Sequence, residues 1–256
     1  MRSFGANATM YQDHPVFEKP ENQDAKIWRY MDLTKFLSLL HKKALFFVRA
    51  DKLADPLEGS YSRANVTLRA AVYPKEVLSL VPQMQEFHRR LLKCTVINSW
   101  HMNEFESAAM WKLYLKSDEG VAAQSTFKRL KECLSEGPET AVYVGKVKYI
   151  DYNTEWLPEG NTMYPFVHKR KSFEHEREVR AVVQMLPMRE GPAIDWSREA
   201  FGDGLYVPVN LNTLIEKVYV SPSSADWFLD LVKSVVERYG LNKEVVRSSL
   251  AEGPVY

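Results

Sequence analysis

Apolar residues fall in short runs along the chain, and their spacing alternates between a period of two and one near 3.6, which separates strands from helices. "KIWRYM" at 26–31 predicts a strand, and Leu33, Phe36, Leu37 and Leu40 then recur at helical spacing, with Asp32 placed as the helix cap. "ALFFVRA" predicts a second strand, and "DKLADPLEGS" a structured loop rich in turn formers. Between Pro74 and Lys93, Val77, Leu80, Val81, Met84, Phe87 and Leu91 predict one helix, followed by the strand "CTVINSW". Asn103, with Glu106 three residues on, predicts a capped helix through Trp111 and Tyr114 that stops at Gly120.

"VAAQST" reads as a strand of small residues, and a short helix to Cys133 is stopped by Gly137 and Pro138. "TAVYVGKVKYIDY" is either one long strand or a hairpin bent at Gly145. "EVRAVVQM", "LYVPVN" and "KVYVSP" are further strands. Residues 224–239 predict a helix with Ser224 as cap, Trp227, Phe228, Leu231 and Val235 on one face, and Gly240 as stop. Strands and helices interleave irregularly, and no Gly-rich phosphate loop follows the first strand, which disfavours a Rossmann fold. The expectation is a single α+β domain over 25–256, its mixed or mostly antiparallel sheet flanked by helices, preceded by a surface arm at 1–24.

The composition, 45% hydrophobic with 12% aromatic residues, supplies a core for a 256-residue globular chain. A net charge of +1 provides no overall pull toward nucleic acid, although it leaves a nucleic-acid partner open. Two cysteines, Cys94 and Cys133, suggest neither a disulfide framework nor a zinc site, and no run approaches the roughly twenty apolar residues of a membrane span. These features point to a cytoplasmic protein with no membrane partner.

The candidate chemistry concentrates in "KRKSFEHEREVRAVVQM" at 169–185. A strand there places Glu178, Arg180 and Gln184 on a polar face, opposite Val179, Ala181 and Val183, with Glu176 one step earlier. Those acids either line a cleft or are solvated charges on an edge strand, with Lys171 and Glu174 paired at i, i+3. Arg29 lies in a strand that is apolar on both faces, so it needs either an internal carboxylate, Asp55 or Glu58, or an anionic ligand. Ser125 and Thr126 either cap a helix or shape a pocket. Trp111 and Tyr114 either pack in the core or stack a flat ring. Asp55, Glu58, the late glutamates and Lys169 or Lys171 would suit a metal-dependent nuclease, but nothing in the sequence brings residue 55 beside residue 178.

The order of Arg29, Ser125-Thr126 and Glu176-Arg177-Glu178 resembles the arginine, serine, glutamate signature of one class of mono-ADP-ribosyltransferases. That resemblance implies an ADP-ribosyltransferase-like fold with NAD as substrate and no metal. Arg29 would hold the pyrophosphate, Ser125 and Thr126 would support the nicotinamide pocket, Glu178 would contact the ribose, and Glu176 would orient or deprotonate an unknown acceptor. Tyr30, Trp111 and Tyr114 join the cofactor-binding candidates. A second resemblance covers residues 26–184: Arg29-Tyr30, Asp55-Pro56-Leu57-Glu58, Trp111 with Tyr114, Gly120, Lys169, and Glu174, Glu176, Glu178 with Arg180 are similar to the bacterial and phage family labelled domain of unknown function 2971. Three functional classes follow: an NAD-consuming transferase of toxin or antiphage type, a metal-dependent nuclease, and a non-catalytic sensing or interaction module whose charges are ion pairs.

Overall fold

A computed structural model describes residues 10–115, 117–134, 140–189 and 193–254. The first half of the chain runs β1 (Lys26–Asp32), α1 (Leu33–Lys42), β2 (Ala44–Arg49), α2 (Arg63–Val72), α3 (Lys75–Leu78), α4 (Val81–Leu91), β3 (Thr95–Met102), α5 (Ala108–Tyr114), β4 (Gly120–Thr126) and α6 (Phe127–Glu132). The second half runs β5 (Tyr143–Lys146), β6 (Lys148–Ile150), β7 (His168–Arg170), β8 (Glu178–Gln184), β9 (Gly204–Pro208), α7 (Leu211–Leu214), β10 (Lys217–Val220), α8 (Asp226–Arg238) and β11 (Val245–Arg247).

Nine of these strands form one sheet in the order β11-β10-β4-β1-β3-β2-β9, with β8 also on β3 and β5 on β8. Its pairings are antiparallel apart from β10 with β11, while β6 and β7 make a separate parallel pair. The expected α+β class, with a mostly antiparallel sheet, therefore holds, and β1, β4 and β8 share one sheet. The main core, with Ile27, Phe36, Phe47, Val121, Val179 and Phe228 fully buried, packs between this sheet and α1, α6 and α8. A smaller cluster of Trp28, Tyr30, Met110, Trp111 and Ala122 lies where α5 covers the opposite face. Met10 and Phe17 are buried in two different clusters, so the described part of the N-terminal arm is anchored to the domain.

The register of β3 matters for the site. One edge pairs with β8 from Thr95 to His101. The other edge is shared: β1 meets it at Met102 and His101, and β2 at Ile97 and Val96. Between those contacts side chains replace a strand, because Asn98 Nδ2 donates to Phe46 O and Arg29 Nη1 donates to Ser99 O.

Several expected elements shift. The helix predicted from Pro74 to Lys93 is two helices, broken before Pro82, which sits in the first turn of α4. No apolar periodicity signals helix α2, because it buries Asn65 and Arg69 while exposing Val66 and Val72, the reverse of the usual pattern. The cap of α5 is Ser107, whose side chain accepts from Met110 N; the Asn103 backbone instead extends the β1–β3 pairing by donating to Lys26 O. Gly120 opens β4 rather than ending α5, since Leu115 fills the space where its Cβ would stand, 2.1 Å away. Residues 140–152 are neither one strand nor a hairpin: β5 joins β8 in the main sheet and β6 leaves for the small one. Ala225, not Ser224, precedes α8, and its buried face is Phe228, Val232 and Val236, leaving Trp227 exposed. Gly137 and Pro138 lie outside the described residues.

Candidate functional site

Strand β8 follows the αL residue Arg177 and enters the sheet with both faces buried. Its predicted polar face is not open: Glu178 is 5% exposed and Arg180 1%. Nor is it an edge strand, since β3 and β5 flank it. Charged residues are tolerated there because they neutralise one another. Arg180 Nε donates to Glu178 Oε2 at 2.7 Å and Nη2 to Glu58 Oε2 at 2.5 Å, and Nη1 donates to Phe166 O. Lys169 Nζ lies 2.7 Å from Glu178, 2.6 Å from Glu176 and 3.1 Å from Glu58. The ammonium thus stands where a metal nuclease would need its cation. Among the described residues no group of His, Cys, Asp and Glu is placed to hold a metal ion.

Three carboxylates here face two cations, and the surplus negative charge falls on Glu176. Burial, followed by the adjoining Glu178, raises its pKa to about 7 against the pull of Lys169. Burial also opposes the charge on Glu178, but Arg180 and Lys169 outweigh it and hold the group well below the ordinary carboxylate range. Lys169 is raised, because Glu178 and Glu58 overcome its own desolvation. Tyr149 belongs to the same assembly, its hydroxyl accepting from Glu178 N. A cleft of about 380 Å³ at the mouth of β8 is lined by Met102, Tyr149, His175, Arg177 and Glu178, among others.

The fold brings Glu58 beside Glu178 across 120 residues of sequence, a juxtaposition that residue spacing could not reveal. It also brings Tyr114 close. Its phenol, at the end of α5, is pushed up to about 12 by burial and by the charges of Glu176 and Glu178. Arg29 is half-buried; burial lowers its pKa to about 10, partly opposed by Tyr114. Its expected carboxylate partners are engaged elsewhere: Asp55 pairs with Arg170, and Glu58 with Arg180 and Lys169. Among the described residues the Arg29 guanidinium meets the Ser99 carbonyl and the Trp100 ring, and no carboxylate.

Other candidates stand apart from this group. Ser125 is fully buried and donates to Leu214 O, Thr126 caps α6, and the register puts Ser125 on the sheet face opposite Glu178. Trp111 packs edge-on to Tyr30 and donates to Glu106, and the Tyr30 hydroxyl accepts from Ser107 N, so both serve the packing under α5. Lys171 pairs with Glu155 rather than Glu174. His101, near the motifs in sequence but without zinc-ligand spacing to another histidine, stands on a rung of the sheet that joins Trp28 to Glu178.

No family model and no curated protein sequence matches the chain, so the resemblance to the domain of unknown function 2971 family finds no support there. Among solved structures the chain is similar to Thermus sp. 2.9 DarT in complex with NAD+, at 8% identity and a TM-score of 0.42, covering 92% of this chain and 100% of that one. It is also similar to Thermus sp. 2.9 DarT in complex with ADP-ribosylated ssDNA, at 8% identity and a TM-score of 0.41, covering 92% and 99% of the two chains.

Proposed function

We propose that the chain is an NAD-consuming, ADP-ribosyltransferase-like enzyme working between Tyr114 and the Glu176–Glu178 pair. The observation that supports this reading is the pairing of two unequal carboxyls, Glu176 and Glu178, whose charges reach Tyr114, the phenol that also acts on Arg29. Glu176 has a pKa near 7 and a side chain 12% exposed, so near neutrality it can both take up and release a proton. Glu178 stays ionised and fixed, and its charge favours a positively charged ribose nearby. Arg29 offers its remaining N–H groups to a pyrophosphate. In this scheme the nicotinamide–ribose bond breaks with both electrons going to nicotinamide, an acceptor oxygen or nitrogen bonds to the ribose carbon, and the acceptor's proton passes to Glu176. Ser125 and Thr126 support the fold of β4 and α6 rather than touching NAD.

A second reading is a non-catalytic module, favoured by the saturation of Glu178 with Lys169 and Arg180. Titration calorimetry with NAD separates the two. The transferase reading expects binding by the wild type, weakened about tenfold or more in Arg29→Gln, which keeps a donor for Ser99 O but loses the charge. Absence of wild-type binding would leave the module.

A further inference from the structure

Glu58 reaches the ion cluster from a distant part of the chain, the loop between β2 and α2. Gly59 takes a positive φ of 74° there and comes so close to Leu92 and Phe166 that a Cβ would not fit. The loop is also fixed by Asp55, whose side chain accepts from Leu57 N and pairs with Arg170, the chain neighbour of Lys169. Glu58 is thus held in the interior, with Arg180 Nη2 at 2.5 Å and Lys169 Nζ at 3.1 Å.

The same ammonium lies 2.6 Å from Glu176, so the Glu58 and Glu176 carboxylates stand no more than about 6 Å apart across Lys169. Like charges that close in a buried cluster oppose one another's ionisation. The other groups facing Glu176 supply no third cation. Glu178 is itself a carboxylate, and Arg180 is shared between Glu178 and Glu58. Tyr114 from α5 and Tyr149 from β6 are phenols that burial keeps protonated, and His101 from β3 meets only the Glu176 backbone carbonyl. The chain neighbours His175 and Arg177 are exposed. Glu58 and Glu178 therefore each touch two cations and Glu176 only Lys169, so a proton needed to balance three carboxylates against two cations belongs on Glu176. With Glu58 neutral, two cations would serve two carboxylates and that need would vanish.

We infer that Glu58 is a positioning residue of this site: by drawing on Lys169 and Arg180 from the far side, it keeps the proton on Glu176 and sets the pH range over which that carboxyl exchanges it. The inference rests on the proposed function only in giving that proton a use, because the exchange itself is read without NAD.

Carboxyl carbon NMR of the ligand-free full chain follows the Glu176 titration in wild type, Glu58→Gln and Glu58→Asp, with melting temperatures measured beside it. The inference expects the Glu176 midpoint to fall by at least about one pH unit, a roughly tenfold gain in acidity, in Glu58→Gln, and to stay near the wild-type value in Glu58→Asp, which keeps the charge. Both variants should melt lower, so melting alone does not reveal the charge effect. A midpoint unmoved in Glu58→Gln, or moved equally in both variants, overturns the inference and makes Glu58 an anchor for Arg180 only. If Glu58→Gln does not fold, the wild type decides: Glu58 staying ionised while Glu176 titrates bears the inference out, and Glu58 titrating near neutrality in place of Glu176 overturns it. The expected midpoint shift in a protein that never releases nicotinamide from NAD would sustain this role of Glu58 and overturn the transferase reading alone.

Discussion

Replacing Glu178 by Gln tests whether the cluster around β8 acts as one electrostatic unit. The carboxylate accepts from Lys169 Nζ and Arg180 Nη2 at Oε1, at 2.7 and 3.1 Å, and from Arg180 Nε at Oε2, at 2.7 Å. Gln retains one acceptor oxygen but turns an amide NH2 toward a guanidinium N–H, so at least one buried donor of Arg180 loses its partner. Removing one member of a buried ion pair costs about 3–5 kcal/mol. Glu58 still holds Arg180 Nη2 and Lys169, which argues for the lower end. For a chain of this length about 3 kcal/mol corresponds to a fall of roughly 6–12 °C in melting temperature. The sequence alone, placing Glu178 on an open polar face, would predict almost no change. Thermal unfolding by circular dichroism at pH 7 decides between them, and a midpoint within about 2 °C of wild type would refute the ion-cluster account.

Other consequences follow from the same geometry. Because folding raises the Glu176 pKa from 4.5 to about 7, the folded state keeps a proton that the unfolded chain has lost, so its contribution is full below pH 4.5 and fades as pH rises to 7. Denaturant unfolding of wild type and Glu176→Gln at pH 5 and pH 8 should show the wild type losing about 2–3 kcal/mol relative to the variant, and parallel stabilities would contradict the raised pKa. Arg69 donates to Glu159 Oε1 from both Nε and Nη2, within a pair whose side chains are 8% and 2% exposed. Arg69→Met should therefore cost about 3 kcal/mol and speed hydrogen exchange over residues 155–161, whereas unchanged exchange would show that this pair does not hold the loop. Gly120→Ala would press a methyl into Leu115 and should cost about 1–3 kcal/mol in denaturant unfolding, with no loss meaning that Leu115 repacks freely.

Much of the fold could be read along the chain, for identifiable reasons. Strands β1, β2, β3 and β4 and helix α1 have apolar spacing that agrees with their burial, and Asp32 caps α1 as its position suggests. Helix α2 escaped because its inward face is Asn65 and Arg69, held by Leu157 O and Glu159, so hydrophobic periodicity carries no trace of it. The site was half legible. Glu176, Glu178, Arg180 and Lys169 stand close in sequence and drew notice as a charge pattern. Their burial did not show, because it depends on Glu58 arriving from a loop before α2. Ser125 shows the opposite failure: motif order placed it in the pocket, but the strand register sends it to the other face.

The measurement that bears most directly on the proposed chemistry is nicotinamide release from NAD by the full chain, with and without the Glu176→Gln substitution. Glu176 is the partly exposed member of the carboxyl pair, so the amide should keep the fold while removing the proton carrier. The account predicts release by the wild type, reduced at least about a hundredfold in the variant, with both proteins sharing a cooperative melting transition. Release at equal rates, or none from wild-type protein that is folded and saturated with NAD, would contradict it and leave the buried glutamates as architecture.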